Sequence, residues 1–153
     1  MMLIFREATA ADIPKLLELE QCVVEAERPF NNTIKADNPI YYDIDKLVSS
    51  ESAILLVVEN ETQIVGTGYV EIRPSKQSLR HEKHGYLGFM YVMPEYRGQG
   101  LNKEIMQRLI DWSRERDIKD FYLDVYAQNS AAIRAYEKVG FEPCLMEMKL
   151  NLD

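Results

Sequence analysis

Two glycines lie two positions apart in the segment 94-PEYRGQGLNKEIMQRLI-110, between an apolar run and an amphipathic one. Because glycine has no Cβ, Gly98 and Gly100 allow the backbone to turn tightly and to approach a ligand closely. A strand, a glycine turn and a helix together form an anion site, since the first helical N–H groups have no intrahelical partner and the helix macrodipole is positive there. This spacing therefore predicts binding of a phosphate or pyrophosphate.

Two common phosphate motifs do not fit the segment. The dinucleotide fingerprint G-x-G-x-x-G requires a third glycine where this chain has Lys103. The turn also follows a long antiparallel stretch, whereas the fingerprint belongs to a first β-α unit. The pattern G-x-x-x-x-G-K-[ST] of the P-loop has no match in the chain. On the turn alone, a strand-to-helix connection without any ligand stays an open alternative.

A second motif occurs in 121-FYLDVYAQNSAAIRAYEKVGFEP-143. It resembles the C-terminal motif of the GNAT superfamily of acetyltransferases, and the residues that carry the resemblance are Asn129, Ala132, Ile133, Tyr136, Gly140 and Phe141. The run 97-RGQGLN-102 resembles the acetyl-CoA signature of the same family, [QR]-x-x-G-x-[GA], with Asn102 in place of the final Gly or Ala. The resemblance is continuous from about Tyr86 to Pro143.

The resemblance implies a binding site for acetyl-CoA as co-substrate, and no metal. Backbone N–H groups would hold the pyrophosphate, in the run Arg97, Gly98, Gln99, Gly100, Leu101, Asn102 and Lys103. The pantetheine arm would pair with a strand edge as an added strand, along Met90, Tyr91 and Val92. A bulge near Gly88 would open the sheet there. Asn129 would hydrogen-bond the same arm, with Ala132 beside it.

The same resemblance implies which residues serve as general acid and general base. Tyr136 matches the general acid of the family, and a phenol with a pKa of about 10 can protonate a leaving thiolate only from close by. Asp124 matches a catalytic carboxylate of relatives that acetylate protein N-termini. Glu71, Glu82 and a chain of water molecules are alternative bases. A weak base favours α-amines or small amines over lysine side chains, whose pKa is higher.

The elements that must position these residues are a mixed set of strands and helices. Apolar runs and turn signals predict strands at residues 2–6, 53–60, 64–73, 85–93, 120–127 and 143–150. Helical spacing predicts helices from Thr9 and Asp12 to about Glu27, near 44–50, after the glycine turn, and at 130–138 with Gly140 as its C-cap. Leu101, Ile105, Leu109 and Trp112 mark the buried face of the helix after the turn. We expect an α/β, GNAT-like fold: a mixed, mostly antiparallel sheet of six to seven strands flanked by about four helices.

The length of 153 residues favours one domain, residues 1–153. A formal charge of −7 argues against nucleic-acid binding, and no apolar run is long enough for a membrane span. With no secretory signal pattern in the first residues, we expect a cytoplasmic location. Cys22 and Cys144 are expected to be reduced structural thiols. His81 and His84 are expected on opposite faces of a strand, which disfavours joint metal ligation, and the methionines at 90, 93, 106, 146 and 148 are expected to fill the core.

These observations predict an N-acetyltransferase that moves the acetyl group of acetyl-CoA to a primary amine by direct attack. The amine would belong to a small molecule or to a peptide or protein, bound by the loop 28–43, and the resemblance also allows a homodimer. The alternative is a non-catalytic module of the same fold that binds acyl-CoA as a sensor or interaction domain.

Overall fold

The computed structural model describes residues 2–153, which form two compact units, one ending at Leu123 and one running from Asp124 to Asp153. The first unit contains a five-stranded sheet in the order β1-β2-β3-β4-β5. Its strands are β1 (Ile4–Glu7), β2 (Ala53–Glu59), β3 (Ile64–Pro74), β4 (Lys83–Val92) and β5 (Phe121–Tyr122). The first four strands pair antiparallel, and β5 pairs parallel to β4. The sheet is therefore mixed, as expected.

Three α-helices accompany this sheet in the first unit, and one lies in the second. They are α1 (Ile13–Glu27), α2 (Ile44–Ser49) and α3 (Leu101–Arg114), followed by α4 (Ser130–Val139) in the second unit. The predicted start of α1 is confirmed, since the Thr9 backbone N–H donates to Asp12 Oδ2 (2.8 Å) across a short 3₁₀ turn. The predicted end of α4 is also confirmed, with Gly140 at its C-cap.

The helices α1 and α3 cover opposite faces of the sheet. Tyr69 of β3 lies in a core cluster with Leu16 and Leu19 of α1. The neighbouring residue, Gly68, faces the other way, and a Cβ built on it would lie 2.6 Å from Ile105 Cγ2 of α3. Because successive residues of a strand point to opposite faces, the sheet is sandwiched between two helical layers.

The strand β4 is irregular where it passes the middle of β3. Its pairing with β3 shifts between Thr67 and Tyr69, and Phe89 at this point has a φ of 53°. A bulge of this kind bends a strand and changes the direction of its edge. The bulge predicted near Gly88 is therefore confirmed, one residue further along the strand.

Strand β5 follows the first part of β4 only, with Gly85 opposite Phe121 and Tyr86 opposite Tyr122. It is shorter than the predicted strand 120–127, of which only Phe121 and Tyr122 are paired. Among residues 2–153, no strand pairs with the β5 side of β4 from Leu87 to Val92.

The predicted strand at 143–150 is wrong as a description of this chain. Residues 143–153 form no strand, and their side chains are exposed. The expectation that Met146 and Met148 fill the core fails with it, since 77% and 86% of these side chains are exposed. The described residues therefore contain five strands, where six to seven were expected.

Two smaller expectations also need correction. Trp112 is half-buried, whereas Met106 and Ser113 complete the buried face of α3 with Leu101, Ile105 and Leu109. Cys22 and Cys144 are free thiols as predicted, but both are exposed, so neither is a core residue.

Within residues 2–153, no helix combines the length and the apolar character that crossing a bilayer would require.

Candidate functional site

The glycine turn adopts the backbone that its sequence predicts. Gly98 has a φ of 80° and Gly100 a φ of 81°, in the left-handed region where a side chain is strained. A Cβ built on either glycine would contact nothing within 4 Å, so the turn needs glycine for its dihedral angles and not for lack of space. Gly100 is the N-cap of α3.

Helix α3 begins directly at this turn and presents its N-terminus there. Glu104 N–H donates to the Gly100 carbonyl (3.1 Å), so the N–H groups of Leu101, Asn102 and Lys103 precede the intrahelical ladder. Gly98, Gln99, Gly100 and Lys103 are exposed, Asn102 is half-buried and Leu101 is buried. Asn102 is the second residue of α3, and the helix begins normally with its side chain in place of Gly or Ala. The turn thus presents several backbone donors at the positive end of a helix of 14 residues.

Arg97 ties the turn to the end of β4. Its Nε donates to the Val92 carbonyl (2.8 Å), and its guanidinium lies 5.7 Å from the centre of the Tyr91 ring. The turn is further held by Tyr96, whose hydroxyl accepts from Asn60 Nδ2 (2.7 Å). These contacts fix the position of the turn relative to the strand.

Met90, Tyr91 and Val92 lie on the part of β4 that has a strand on one side only. Met93 N–H donates to the Val65 carbonyl (2.8 Å), so the polar backbone groups of Met93, and of Tyr91 two residues earlier, face β3. The N–H and carbonyl of Val92 consequently face the other edge of β4, where the carbonyl accepts a hydrogen bond from Arg97. An extended chain with amide groups could therefore pair with this edge.

The bulge beside this edge holds a strained residue. Phe89 is 1% exposed and has a positive φ, which is costly for a residue with a bulky side chain. The hydroxyl of the fully buried Thr67 donates to the Phe89 carbonyl (2.7 Å) and thereby holds this conformation. Gly88 precedes it, and a Cβ there would lie 2.5 Å from the Tyr69 hydroxyl. Strain of this kind is often found at functional sites.

Next to the bulge, aromatic rings connect the sheet to the loop before α2. Tyr42 stacks on Phe89 at a centroid distance of 4.6 Å and meets Tyr69 edge-on at 5.8 Å. Burial raises the pKa of Tyr42 above its ordinary value, so this phenol stays protonated. Tyr41 packs edge-on against Tyr42. The loop is therefore a fixed part of the core at this point.

Glu20 of α1 fixes this loop. Its side chain is buried, and its Oε2 accepts the backbone N–H groups of Tyr41 (2.8 Å) and Tyr42 (2.9 Å). The next helix residue, Gln21, donates through Nε2 to the Pro39 carbonyl (3.0 Å). Burial also raises the pKa of Glu27 on the same helix. A shallow cavity of about 440 Å³ lies between α1 and the loop, and it is lined by Leu17, Glu20, Ile40, Tyr41, Tyr42, Asp43, Ile44 and Asp45.

The remaining predicted site residues lie in the second unit. Asn129 is the N-cap of α4, and its Oδ1 accepts the backbone N–H of Ala132 (3.2 Å). The cap therefore uses the side-chain oxygen of Asn129 and not its amide nitrogen. Tyr136 is half-buried on α4, with the Phe141 ring edge-on at 6.2 Å.

The candidate bases differ in their surroundings. Asp124 is exposed at the start of the second unit. Glu71 accepts from Arg73 Nε (2.7 Å) and lies 3.7 Å from Lys46 Nζ, so its carboxylate is engaged by two cations. Glu82 is exposed and directly precedes β4.

The two histidines do not point to opposite faces, as the sequence suggested. Ser75 Oγ lies 2.7 Å from His81 Nδ1 and 2.9 Å from His84 Nδ1, and His81 Nε2 lies 2.9 Å from the Tyr122 hydroxyl. The reason is that His81 precedes β4, so strand alternation does not apply to it. Burial lowers the pKa of His84. Across the described residues, no group of three or more His, Cys, Asp or Glu side chains could hold a metal ion.

Sequence reasoning missed three residues of the first unit that shape this region, namely Glu20, Thr67 and Phe89. Glu20 occupies a position on the buried stripe of α1, between Leu16 and Val23, and a charged residue on such a stripe is the signal that could have revealed it. Nothing in the sequence marks the left-handed backbone of Phe89.

Most of the chain matches a known protein family. The model of a family described as the acetyltransferase (GNAT) family matches residues 17–141. The ribosomal protein bS18 alanine N-acetyltransferase of Escherichia coli (strain K12) is 42% identical over 50 residues, which are 33% of this chain and 34% of that protein. The match therefore spans only about a third of the relative's length.

Two solved structures resemble the fold. A tetramutant of the BH1408 protein from Bacillus halodurans has a TM-score of 0.85 at 25% identity, over 97% of this chain and 99% of that chain. A predicted acetyltransferase from Clostridium acetobutylicum, crystallised with acetyl-CoA, has a TM-score of 0.76 at 22% identity, over 98% of this chain and 96% of that chain. At this level of identity, the second likeness concerns the fold alone.

Proposed function

Because this chain belongs to the GNAT family of acetyltransferases, we propose that it transfers the acetyl group of acetyl-CoA to a primary amine. The observation that carries the proposal is the combination, within the first unit, of a one-sided strand edge at Met90–Val92 and a left-handed glycine turn at the start of α3. The edge suits an amide-containing arm, and the turn suits a pyrophosphate. The Clostridium acetobutylicum protein, which shares the fold, was crystallised with acetyl-CoA, and this supports the choice of co-substrate.

In this proposal the pyrophosphate is bound by the backbone between Gly98 and Lys103. The N–H groups that precede the α3 ladder would donate to phosphate oxygens, and the α3 macrodipole would favour the negative charge. Arg97 has its Nε engaged by the Val92 carbonyl. Its role is therefore to fix the turn against the strand, with its remaining guanidinium N–H groups as further donors.

The pantetheine arm would pair with the β4 edge at Met90, Tyr91 and Val92. The Val92 N–H faces this edge and would donate to a carbonyl of the arm. The amide nitrogen of Asn129 would supply a further hydrogen bond. Acetyl-CoA brings a thioester whose acyl carbon is electrophilic, and the protein contributes the alignment of that carbon with the amine.

For the reaction, the attacking amine must be neutral, and the departing thiolate of CoA must receive a proton. Tyr136 would donate the proton to the departing sulfur, and Asp124 is the proposed base. Direct attack needs no covalent enzyme intermediate: the amine nitrogen bonds to the acyl carbon, and the carbon–sulfur bond breaks. Backbone N–H groups at the β4 bulge would stabilise the oxyanion that forms in between.

The acceptor would bind at the loop 28–43 and be a small-molecule or peptide amine. The formal charge of −7 favours a cationic acceptor over an acidic one. The bS18 alanine N-acetyltransferase, whose name specifies an alanine acceptor, supports an α-amine. An α-amine, with a pKa near 8, also needs less help from a base than a lysine side chain. We therefore place α-amines first among the candidate acceptors.

Calorimetric titration with CoA, with ATP and NAD as comparison ligands, tests the binding site. We expect CoA to bind and Gly100→Ala to weaken it roughly tenfold, because a left-handed alanine costs about 1–2 kcal/mol or moves the backbone donors. Gly140→Ala is the matched control: it strains a left-handed glycine at the end of α4 and should leave CoA affinity unchanged. Equal CoA affinity in wild type and Gly100→Ala would show that the turn does not bind the pyrophosphate.

A further inference from the structure

Four half-buried polar side chains form a cluster at the opposite end of β4 from the glycine turn, within the first unit. They are Ser75 directly after β3, His81 in the β3–β4 connection, His84 of β4 and Tyr122 of β5. Ser75 Oγ lies 2.7 Å from His81 Nδ1 and 2.9 Å from His84 Nδ1. His81 Nε2 lies 2.9 Å from the Tyr122 hydroxyl, and the Tyr122 ring meets the His84 ring edge-on at 5.0 Å. The cluster therefore joins the β3–β4 connection to β5.

Strand β5 has a short backbone ladder. It consists of Phe121 and Tyr122, which pair with the first part of β4. A ladder of this length contains few hydrogen bonds and opens at a low cost in free energy. The contact between the Tyr122 hydroxyl and His81 adds a side-chain connection to these few bonds. A change in the cluster therefore changes how firmly β5 is held.

The hydrogen-bond pattern limits how many protons the two histidines can hold. Ser75 Oγ carries one hydrogen, so it can donate to one imidazole only, and the other imidazole must donate to Oγ from its Nδ1–H. This pattern is complete when both rings are neutral, and it stays complete when one ring is protonated. When both are protonated, both Nδ1–H groups point at Oγ, and the hydroxyl hydrogen loses its acceptor within the cluster. Two like charges then lie at a ring-centroid distance of 6.3 Å, which is unfavourable.

The surrounding charges also disfavour a second proton. Besides the phenol of β5, the groups that face His84 are His81 of the connection, Arg73 of β3 and Asp120 directly before β5. Burial, His81 and the Arg73 guanidinium lower the pKa of His84 from its ordinary 6.5, and Asp120 opposes them only in part. Because the unfolded chain binds this proton more readily, the stabilisation by neutral His84 is present above about pH 6.5. It is lost as the pH falls through the lower pKa of the folded state.

We propose that the cluster of Ser75, His81, His84 and Tyr122 is a pH-sensitive switch. With at most one proton on the two histidines, it holds β5 against the β3–β4 connection, and the second proton breaks this contact. Strand β5 is then held by its short ladder to β4, so it is firmly bound at neutral pH and opens in mildly acidic solution. The chain has only two histidines, so every imidazole that gains a charge in this pH range belongs to the cluster.

The imidazole NMR signals of the wild-type chain test the proton count, because both histidines lie in the cluster. We expect the pair to titrate in two separate steps, the second well below pH 6.5. Ser75→Ala removes the shared hydroxyl and lets the rings move apart, so it should bring the two steps together. Ser78→Ala, an exposed serine of the same connection, is the control and should leave them separate. A single common titration near pH 6.5 in the wild type would overturn the switch.

Backbone hydrogen exchange tests the release of β5. Gly85 N–H donates to the Asp120 carbonyl (2.9 Å) and reports on β5, whereas Met93 N–H donates to the Val65 carbonyl (2.8 Å) at the other end of β4 and is the internal control. From about pH 7 to about pH 5, we expect the protection factor of Gly85 to fall about tenfold relative to that of Met93, since each unit of pKa difference changes the opening equilibrium tenfold. Tyr122→Phe, which lacks the hydroxyl, should show lower protection at pH 7 and little further fall. A constant ratio in the wild type would overturn the release, and so would an equal fall in Tyr122→Phe.

Discussion

Glu20 shows how one buried carboxylate can determine the shape of a loop. Two backbone N–H groups, from Tyr41 and Tyr42, donate to the same oxygen of its side chain. A buried backbone donor without a partner costs about 1–3 kcal/mol. The loop that carries the proposed acceptor contacts is therefore held by a residue that need not touch the acceptor.

Removal of this carboxylate should destabilise the protein. We expect Glu20→Ala to lower the free energy of unfolding by roughly 2–4 kcal/mol, since two buried donors lose their acceptor. Glu20→Gln keeps an acceptor oxygen and should cost roughly 1 kcal/mol. Urea unfolding followed by circular dichroism measures both, with Glu18→Ala, an exposed residue on the same helix, as the control. A loss in Glu20→Ala no larger than in Glu18→Ala would show that the loop does not depend on this contact.

At the scale of elements, an ion pair joins β1 to the start of α1. Arg6 contacts Asp12 through two hydrogen bonds of 2.8 Å and 2.9 Å, and it also contacts Glu59 of β2. The hydrogen bond from Arg6 lowers the pKa of Asp12 from 3.8 to about 2. Since the folded-state pKa lies below that of the unfolded chain, the unfolded chain binds the proton more readily.

The direction of this pKa shift predicts how the stability of the protein changes in acid. The contribution of Asp12 is fully present above its unfolded pKa of 3.8 and is lost as the pH falls toward about 2. Asp12→Asn removes this titration, so the variant should be less stable than wild type at neutral pH and should approach it in acid. Thermal unfolding at a series of pH values measures the difference, with the exposed Glu104→Gln as control. A difference that does not change with pH would contradict the assignment.

The elements also show what the sequence could and could not predict. Helix α1 was predictable because its capping residues, Thr9 and Asp12, and its apolar spacing agree. The glycine turn was predictable because left-handed backbone requires glycine. The bulge conformation at Phe89 was not, because a single sequence carries no signal for a left-handed phenylalanine.

The prediction of a strand at 143–150 failed for a related reason. Alternation of apolar and polar residues predicts a strand, but it does not say which edge the strand pairs with. Met146, Met148 and Leu150 follow this alternating pattern, yet residues 143–150 form no strand.

At the scale of the whole molecule, the family assignment and the α/β fold agree with the prediction from two short motifs. The family model covers residues 17–141, which include both the glycine turn and the motif around Tyr136. The site roles, by contrast, rest on the resemblance and on the geometry within each unit. The catalytic roles of Tyr136 and Asp124 therefore stay predictions until activity is measured.

The most direct measurement is acetyl transfer itself. Purified protein is incubated with acetyl-CoA and a panel of N-terminal peptides, amino acids, polyamines and aminoglycosides, while thiol release is followed and products are identified by mass spectrometry. We expect acetylated amine with wild type, and a rate at least about tenfold lower with Tyr136→Phe at unchanged CoA affinity. Tyr126→Phe, in the same unit, is the control and should keep the wild-type rate. CoA binding without acetylation of any amine would contradict the proposed activity, and an unchanged rate in Tyr136→Phe would contradict its role as the acid.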